Sequence, residues 1–357
     1  MQKSSLIVLL GLLVACGSEV PFEAPSATGS GGGATTAGTG GGQTSTTAGA
    51  GGGAGGAGPK TFSNQYALEA TWSEGGIYDP EGHAFYVGSL GDGSVHRVDA
   101  ETGLDETLFV ETAPGAWWTL GMAVDVSRRK LWVCAMEDLR ETNADPAYDG
   151  YVWAFDLTTG TREAVYPLSD AYAEGTCTDV AVTDDGSVYV TDRDFGHVYR
   201  IGPNDGAASL FVNDDELEAS IIGQNAIVVT PDESALLIAV YLPSRLVRVD
   251  LGTKAVSEVD IDGSFGDLTP LSGADGMTLH DGKAYVTFSS ELVELIPTLG
   301  DWSTASAREV SMPNGLTDVV STPGGLYLLN GQAVRYALGQ DPDPFALVRF
   351  TGDFPAD

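Results

Sequence analysis

Six residues of the chain open similar apolar segments, and five of them carry side-chain oxygen atoms. The six are Glu74, Leu120, Thr178, Asn225, Asp275 and Thr317. If the segments surrounded one axis, two carboxylates, a carboxamide and two hydroxyls would converge at one point. Oxygen ligands without histidine or cysteine suit a hard divalent cation, Ca²⁺ most naturally. The alternative for the same residues is a polar channel filled with water.

The segments that must position these residues recur along the chain at similar intervals. Their starts, counted from Glu74, lie 46, 58, 47, 50 and 42 residues apart. Each unit continues through a turn into a second run of β-branched and aromatic residues, as at 84–87 and 187–190. Short strands repeating every 40–50 residues or so predict one propeller blade per unit. We therefore expect an all-β fold, a six-bladed β-propeller.

Both ends of the repeat region hold one further strand-like segment. Residues 66–71 precede the first unit, and residues 345–350 follow the last hairpin. A strand from each end in one shared blade would close the ring and remove exposed sheet edges. The longest interval has a local cause, since residues 137–149 form a polar insertion.

The N-terminal 15 residues have the pattern of an export signal. Lys3 precedes an almost wholly apolar run over 6–14, which is too short to span a bilayer as a mature helix. The Leu-Val-Ala-Cys sequence that ends at Cys16 resembles the lipobox of bacterial lipoproteins, which implies lipidation of Cys16 and cleavage after residue 15. The alternative is an ordinary secretory peptide with an incidental cysteine. We expect anchoring to the cell envelope through the lipid, at the outer membrane in preference to the inner.

Composition divides the rest of the chain into a linker and a folded domain. Residues 16–60 are rich in Gly, Ala, Ser and Thr, and should be disordered because they cannot bury enough surface to offset their ordering entropy. The propeller is then expected over 61–357. The net charge of −33 argues against binding to nucleic acids or to an anionic lipid surface. We expect a monomer that acts on a small molecule.

Three of the opening motifs resemble those of a known family. They are Ser-Glu-Gly-Gly-Ile over 73–77, Gln-Asn-Ala-Ile over 224–227 and Ala-Asp-Gly-Met over 274–277. Their order and spacing are similar to those of the senescence-marker-protein/gluconolactonase/luciferin-regenerating-enzyme family, which belongs to the calcium-dependent phosphotriesterase superfamily of six-bladed propellers. The resemblance implies that Glu74, Asn225 and Asp275 hold Ca²⁺ or another divalent cation. It also implies hydrolysis of a lactone or ester, with Asp275 as the nucleophile or general base.

The third blade departs from the family pattern. The family commonly opens this blade with Asn, whereas this chain has Thr178 followed by Asp179. Either Asp179 reaches the metal or Thr178 makes a weaker or water-mediated contact. The alternative for Asp179 is a turn residue that binds backbone amides, because Thr317 and Asp318 repeat the pattern in the sixth unit. The departure leaves a second function open, a non-catalytic binding or scaffold propeller displayed at the surface with a structural Ca²⁺.

Three further groups of side chains carry expectations of their own. Trp117 and Trp118 enter the second blade and form either an apolar wall for a substrate or part of the core. Cys134 and Cys177 form a disulfide only if neighbouring blades bring them close enough, a question that the sequence leaves open. The four histidines fall in turns or outer strands, where we expect surface residues. They are His83, His96, His197 and His280.

Overall fold

The structure, a computed structural model, describes residues 60–111, 116–138, 148–219, 222–266 and 273–355. Within these ranges the chain forms six sheets of four or five strands, arranged as the six blades of a β-propeller. The expected fold class is therefore confirmed. The signal sequence, Cys16 and most of the linker lie outside the described residues. None of the helices in the described ranges has the length and hydropathy needed to cross a membrane.

Each of the first three blades is an antiparallel sheet whose strands follow one another in the chain. Blade one contains β2 (Gly76–Asp79), β3 (Ala84–Gly88), β4 (Val95–Asp99) and β5 (Asp105–Phe109). Blade two contains β6 (Ala116–Asp125), β7 (Lys130–Asp138), β8 (Tyr148–Asp156) and β9 (Arg162–Pro167). Blade three contains β10 (Val180–Val182), β11 (Val188–Thr191), β12 (His197–Ile201) and β13 (Ser209–Asn213).

The last three blades repeat this order with two additions. Blade four contains β14 (Ile222–Val229), β15 (Ala235–Leu242), β16 (Arg245–Asp250) and β17 (Val256–Glu258). Blade five contains β19 (Met277–His280), β20 (Lys283–Phe288), β21 (Glu291–Pro297) and β22 (Thr304–Ser311), with β18 (Asp260–Asp262) parallel to β22. Blade six contains β23 (Leu316–Thr322), β24 (Gly325–Asn330), β25 (Ala346–Arg349) and β1 (Gln65–Ala67). A short helix, α1 (Ala333–Ala337), lies between β24 and β25.

The two ends of the propeller meet in blade six, as the sequence predicts. Strand β1 pairs antiparallel with β25, and Tyr66 lies opposite Leu347. The Tyr66 hydroxyl donates a hydrogen bond of 2.6 Å to the carbonyl oxygen of Ala100, which follows β4 in blade one. Aromatic packing continues across this junction, where the rings of Phe85 and Tyr327 lie 5.2 Å apart. The ring of blades is thus closed by strand pairing and by buried contacts.

A disulfide joins blade two to the entrance of blade three. Cys134 in β7 and Cys177 are bonded, with their Cα atoms 5.6 Å apart, and both are fully buried. The chain that precedes β10 runs close to β8, because the Gly150 amide donates to the Gly175 carbonyl at 3.0 Å. This backbone contact brings the two cysteines within bonding range, which settles the open question in favour of the disulfide.

The expectation that all four histidines lie at the surface is wrong for two of them. His96 and His197 are each only 5% exposed. His96 Nδ1 lies 2.8 Å from Asp105 Oδ1, and its Nε2 lies 3.0 Å from Ser94 Oγ. Burial is tolerated because both ring nitrogens are hydrogen-bonded inside the blade. Periodicity places such a residue on an outer strand but cannot show that neighbouring polar groups will cover it.

Candidate functional site

The inner strands converge on a small polar cavity at one mouth of the central channel. Its volume is about 20 Å³, which is room for one water molecule or one ion. The lining comes from all six blades and includes five of the six predicted opening residues. They are Glu74, Thr178, Asn225, Asp275 and Thr317. Leu120 is the exception, because it is buried in the core at 4% exposure, and Gly121 lines the cavity in its place.

Irregular strand pairing helps to aim these residues at the axis. The inner strands β6, β14 and β23 each shift register against their neighbour where the opening residue lies. In β14 the shift falls between Gln224 and Ile227 and therefore contains Asn225. A bulge of this kind bends the strand and redirects one side chain. In the other three blades the lining residues immediately precede the inner strand, and backbone hydrogen bonds to the second strand hold them, as from the Asp275 amide to the Thr287 carbonyl at 2.8 Å.

Two oxygen atoms in the cavity wall have no hydrogen-bond partner among the described residues. They are Glu74 Oε2 and Thr178 Oγ1, and both atoms are buried. A buried polar atom without a partner costs free energy, so such atoms usually indicate water, an ion or a ligand. The orphaned oxygens therefore fit a divalent cation, which would be held by acceptor atoms.

Asn225 and Asp275 are already organised as a pair. Asn225 Nδ2 donates a 2.7 Å hydrogen bond to Asp275 Oδ1. Desolvation raises the pKa of Asp275 well above its usual value, and the nearby charges of Glu74 and Asp318 raise it further. The bond from Asn225 opposes this shift but does not reverse it. Asp275 is therefore a carboxyl group that holds its proton to a higher pH than an exposed aspartate does.

Asp179 and Asp318 occupy equivalent positions and bind backbone amides. Asp179 accepts from the amides of Val180 and Ile227 at 2.8 and 2.9 Å. Asp318 accepts from Val319 and Gly76 at 2.7 and 2.8 Å. Each carboxylate thus joins its own blade to the next one. These contacts are the backbone-binding role that the sequence offered as the alternative for Asp179.

Two glycines make room for these carboxylates. A Cβ atom at Gly121 would overlap Asp179 Oδ1, and a Cβ atom at Gly276 would overlap Asp318 Oδ1. The amide of Gly121 donates to the Thr178 carbonyl at 2.9 Å, so the strands approach closely here. The glycines at the mouth are therefore required by packing between blades.

The mouth brings several acidic side chains together where they are buried away from water. Burial raises the pKa of both Glu74 and Asp179 to about 7, and Arg193 opposes the shift at Glu74. Asp318 also has a raised pKa, caused first by desolvation and next by Asp179. No group of three or more His, Cys, Asp or Glu side chains in the described ranges is arranged to hold a metal ion. A cation at this mouth would therefore depend on Asn225 and Thr178 as well as on carboxylates.

The two predicted substrate-facing tryptophans point in different directions. Trp117 packs against Tyr151 and Trp153, with ring centroids 5.3 and 5.5 Å apart, and belongs to the core between blades one and two. Trp118 lies 5.5 Å from the Tyr148 ring. Successive strand residues face opposite sides of a sheet, which separates the pair. Neither tryptophan lines the cavity itself.

Two residues close to the mouth were not predicted from the sequence. The pKa of Tyr241 is raised by burial and then by the charge of Asp275, which indicates that the phenol lies near Asp275. Arg193 lies with its guanidinium carbon 5.8 Å from the Tyr148 ring centroid, and its Nε is buried without a hydrogen bond. Tyr241 lies near the end of β15 and Arg193 lies just after β11, two positions that carry no motif.

Comparison with known proteins agrees with this fold. Residues 72–316 match the family model described as the SMP-30/Gluconolactonase/LRE-like region. The chain belongs to this family. Comparison with curated proteins gives no match.

Solved structures similar to this SMP-30/gluconolactonase/LRE-like propeller share its fold at low identity. The major allergen Mala s 1 of Malassezia sympodialis matches with a TM-score of 0.65 and 16% identity, covering 81% of this chain and 96% of that one. The gluconolactonase XC5397 of Xanthomonas campestris matches with a TM-score of 0.56 and 17% identity, covering 81% and 88%. The aldose sugar dehydrogenase of Streptomyces coelicolor, in its PQQ-bound form, gives 0.54 and 14%, covering 80% and 96%. At these identities the likeness concerns the fold alone.

Proposed function

We propose that this protein is a divalent-cation-dependent hydrolase of lactones or carboxylic esters, with Ca²⁺ as the cation. The observation that carries the proposal is the buried Glu74 Oε2 without a partner, at a cavity sized for one ion. Glu74, Asn225 and Asp275 would hold the cation, with Thr178 or Asp179 as a further contact. When bound, Ca²⁺ supplies Lewis-acid polarisation of the substrate carbonyl.

Asp275 is the proposed catalytic residue. As a general base it accepts a proton from water while the water oxygen bonds to the carbonyl carbon. The bond to the leaving alkoxide then breaks, and Asp275 returns the proton to that oxygen. As a nucleophile its carboxylate oxygen would instead bond to the carbonyl carbon and displace the leaving alkoxide, which takes a proton from water, and a water molecule would then hydrolyse the resulting acyl-enzyme anhydride. Its raised pKa makes it a stronger base than an exposed aspartate, which supports the first role, and Asn225 holds its carboxyl group in place.

Membrane tethering is part of the proposal. Lipidation of Cys16 would anchor the chain to the cell envelope, preferentially at the outer membrane, and residues 16–60 would carry a monomeric propeller above the surface. The buried disulfide between Cys134 and Cys177 supports export, because such bonds persist in oxidising compartments. Fractionation of cells with and without Cys16→Ser tests this, and the proposal expects the variant to leave the membrane fraction.

Hydrolysis of a lactone and aryl-ester panel, with Ca²⁺ and with chelator, tests the activity. We expect turnover only with the cation, and a loss of about 10²- to 10⁴-fold in Asp275→Asn, the range for a general acid or base. Asp281→Asn is the matched control, since Asp281 lies beyond the opposite end of β19 and its side chain is 87% exposed. Full activity in Asp275→Asn would overturn the proposed mechanism.

A non-catalytic propeller with a structural Ca²⁺ is the second candidate. It is favoured by the third blade, where Asp179 already accepts two backbone amides and Thr178 supplies only a hydroxyl. This candidate predicts cation-dependent stability without turnover of any substrate in the panel. The two candidates thus give opposite results in the same assay.

A further inference from the structure

The bulge in β14 takes Asn225 out of the regular pairing of blade four. The pairing of β14 with β15 jumps from Gln224 to Ile227, so Asn225 and Ala226 have no directly paired residue in β15. Both are buried, at 8% and 2% exposure. Buried backbone groups outside a strand ladder need hydrogen-bond partners from elsewhere. The direction of the Asn225 side chain therefore depends on the groups that hold this piece of backbone.

Blade three holds the bulge at two points. The Thr191 hydroxyl, at the end of β11, donates a hydrogen bond of 2.8 Å to the carbonyl oxygen of Asn225. Asp179 Oδ2 accepts a hydrogen bond of 2.9 Å from the amide of Ile227, two residues further on. The first bond restrains the peptide group that follows Asn225, and the second restrains the backbone where regular pairing resumes. The neighbouring blade thus fixes the bulge from the side.

The hydroxyl of Thr191 is oriented by its surroundings. Its Oγ1 accepts a hydrogen bond of 3.0 Å from the Asp179 amide, and a hydroxyl has only one proton to donate. The Asn225 carbonyl, at 2.8 Å, is closer than the Asp179 carbonyl, at 3.3 Å, and therefore receives that proton. Thr191 is fully buried, so water does not compete for the bond.

The corresponding threonine in blade five makes a looser connection. Thr287 Oγ1 accepts a hydrogen bond of 3.0 Å from the Gly276 amide, as Thr191 does from Asp179. Its distances to the carbonyl oxygens of Gly276 and Thr317 are 3.2 and 3.3 Å, and one proton cannot serve both acceptors fully. Of these two threonines, Thr191 makes the shorter bond to the residue that opens the next blade.

We infer that Thr191 is a positioning residue for the cation site and acts through Asn225. The inference rests on the proposed function in taking Asn225 as a ligand of the cation. By holding the carbonyl group, Thr191 restrains the backbone of Asn225 and with it the direction of the carboxamide. Asn225 Nδ2 then reaches Asp275 Oδ1 at 2.7 Å, and Oδ1 of Asn225 is the atom left to bind the cation.

Calorimetric titration of Ca²⁺ into Thr191→Val tests the inference. Valine keeps the branched shape of threonine and removes the hydroxyl. Groups that orient metal ligands typically contribute a factor of about 10–100 to the affinity, so we expect Ca²⁺ to bind Thr191→Val about 10- to 100-fold more weakly than wild type. Thr191→Ser keeps the hydroxyl and should bind Ca²⁺ nearly as tightly as wild type. Wild-type affinity in Thr191→Val would overturn the inference.

Thr119→Val is the matched control for the loss of a buried hydroxyl. Thr119 is also fully buried, and its Oγ1 accepts from the Ser89 amide and donates to the Ser94 carbonyl, both at 2.7 Å. It thus joins blade two to blade one without contacting a proposed ligand. We expect both valine variants to lose stability in urea unfolding, and only Thr191→Val to lose Ca²⁺ affinity. An equal loss of affinity in both would refute the positioning role.

Hydrogen exchange of the Asn225 side-chain amide gives a second test that needs no cation. NMR of protein labelled with ¹⁵N-asparagine, in chelator, measures the exchange, and Asn225→Ala identifies the signal. Thr191→Val should speed this exchange by up to about tenfold, as the loss of one hydrogen bond predicts, and Thr119→Val should not change it. Unchanged exchange in Thr191→Val would refute the inference. Faster exchange in a protein that binds no Ca²⁺ would refute the proposed cation site alone, and the role of Thr191 in holding Asn225 would stand.

Discussion

Glu74 offers a direct test of the electrostatics at the mouth. In the metal-free protein its pKa is raised from 4.5 to about 7, chiefly because burial removes water from the carboxylate. The native state therefore binds this proton more tightly than the unfolded chain does. The unfolding free energy should fall as the pH rises between about 4.5 and 7, and the loss should be complete above the folded-state pKa.

The size of this effect follows from the shift. One pKa unit corresponds to about 1.4 kcal/mol, so ionising Glu74 in the folded protein costs about 3 kcal/mol by pH 8. Other carboxyl groups of the mouth also have a raised pKa. Comparison of wild type with Glu74→Gln therefore isolates the contribution of Glu74 to the pH dependence of the unfolding free energy. The difference in unfolding free energy between wild type and Glu74→Gln should change by about 3 kcal/mol from pH 4.5 to pH 8, in favour of the variant.

Urea unfolding in chelator, followed by tryptophan fluorescence at several pH values, measures this difference. Glu258→Gln is the matched control, because Glu258 is exposed in β17 and far from the cavity lining. Ca²⁺ should restore the stability of wild type at pH 8 and should have a much smaller effect on Glu74→Gln. A difference that does not vary with pH would refute the desolvation argument. Equal stabilisation of both proteins by Ca²⁺ would refute the role of Glu74 as a ligand.

Three further predictions concern the cation, the glycines and the disulfide. The affinity for Ca²⁺ should increase from pH 5 to pH 8, because carboxyl groups with a raised pKa must lose their protons before they can bind the cation. Calorimetric titrations of Ca²⁺ in buffers of different ionisation enthalpy measure the number of protons released. Gly276→Ala should destabilise the fold by about 1–3 kcal/mol through overlap with Asp318, whereas Gly206→Ala, with open space around it, should be near neutral in thermal unfolding. Replacing Cys134 and Cys177 by alanine should cost about 4 kcal/mol, from the entropy of a loop spanning 43 residues, and an unchanged denaturation midpoint would contradict this.

The repeat pattern was sufficient to predict the propeller and most of the cavity lining. Alternation of apolar residues and turn signals fixes where each inner strand begins, and a closed ring then forces the openings together. Leu120 shows the limit of this reasoning. A bulge in β6 displaces the register there, so that the leucine enters the core and Gly121 lines the channel. Bulges depend on contacts between blades, which a single sequence does not reveal.

Features that depend on two blades at once were not predictable in the same way. The disulfide required the chain before β10 to run beside β8, and Arg193 approaches the mouth from a loop without any motif. The burial of His96 depends on Asp105, which lies on the neighbouring strand diagonally across from it, opposite Val98. In each case the partner is set by the packing of strands, whereas the sequence pattern describes one strand at a time.

The pairing of β1 with β25 has a consequence for the order of folding. The segment synthesised first among the described strands completes the sheet that is synthesised last, since Tyr66 lies opposite Leu347. The ring therefore cannot close until almost the whole chain has emerged, either from the ribosome or on the far side of a membrane. Until then β1 lacks its partner strand and is open to pairing with other chains. Assembly of this protein should accordingly be sensitive to delays late in its synthesis or translocation.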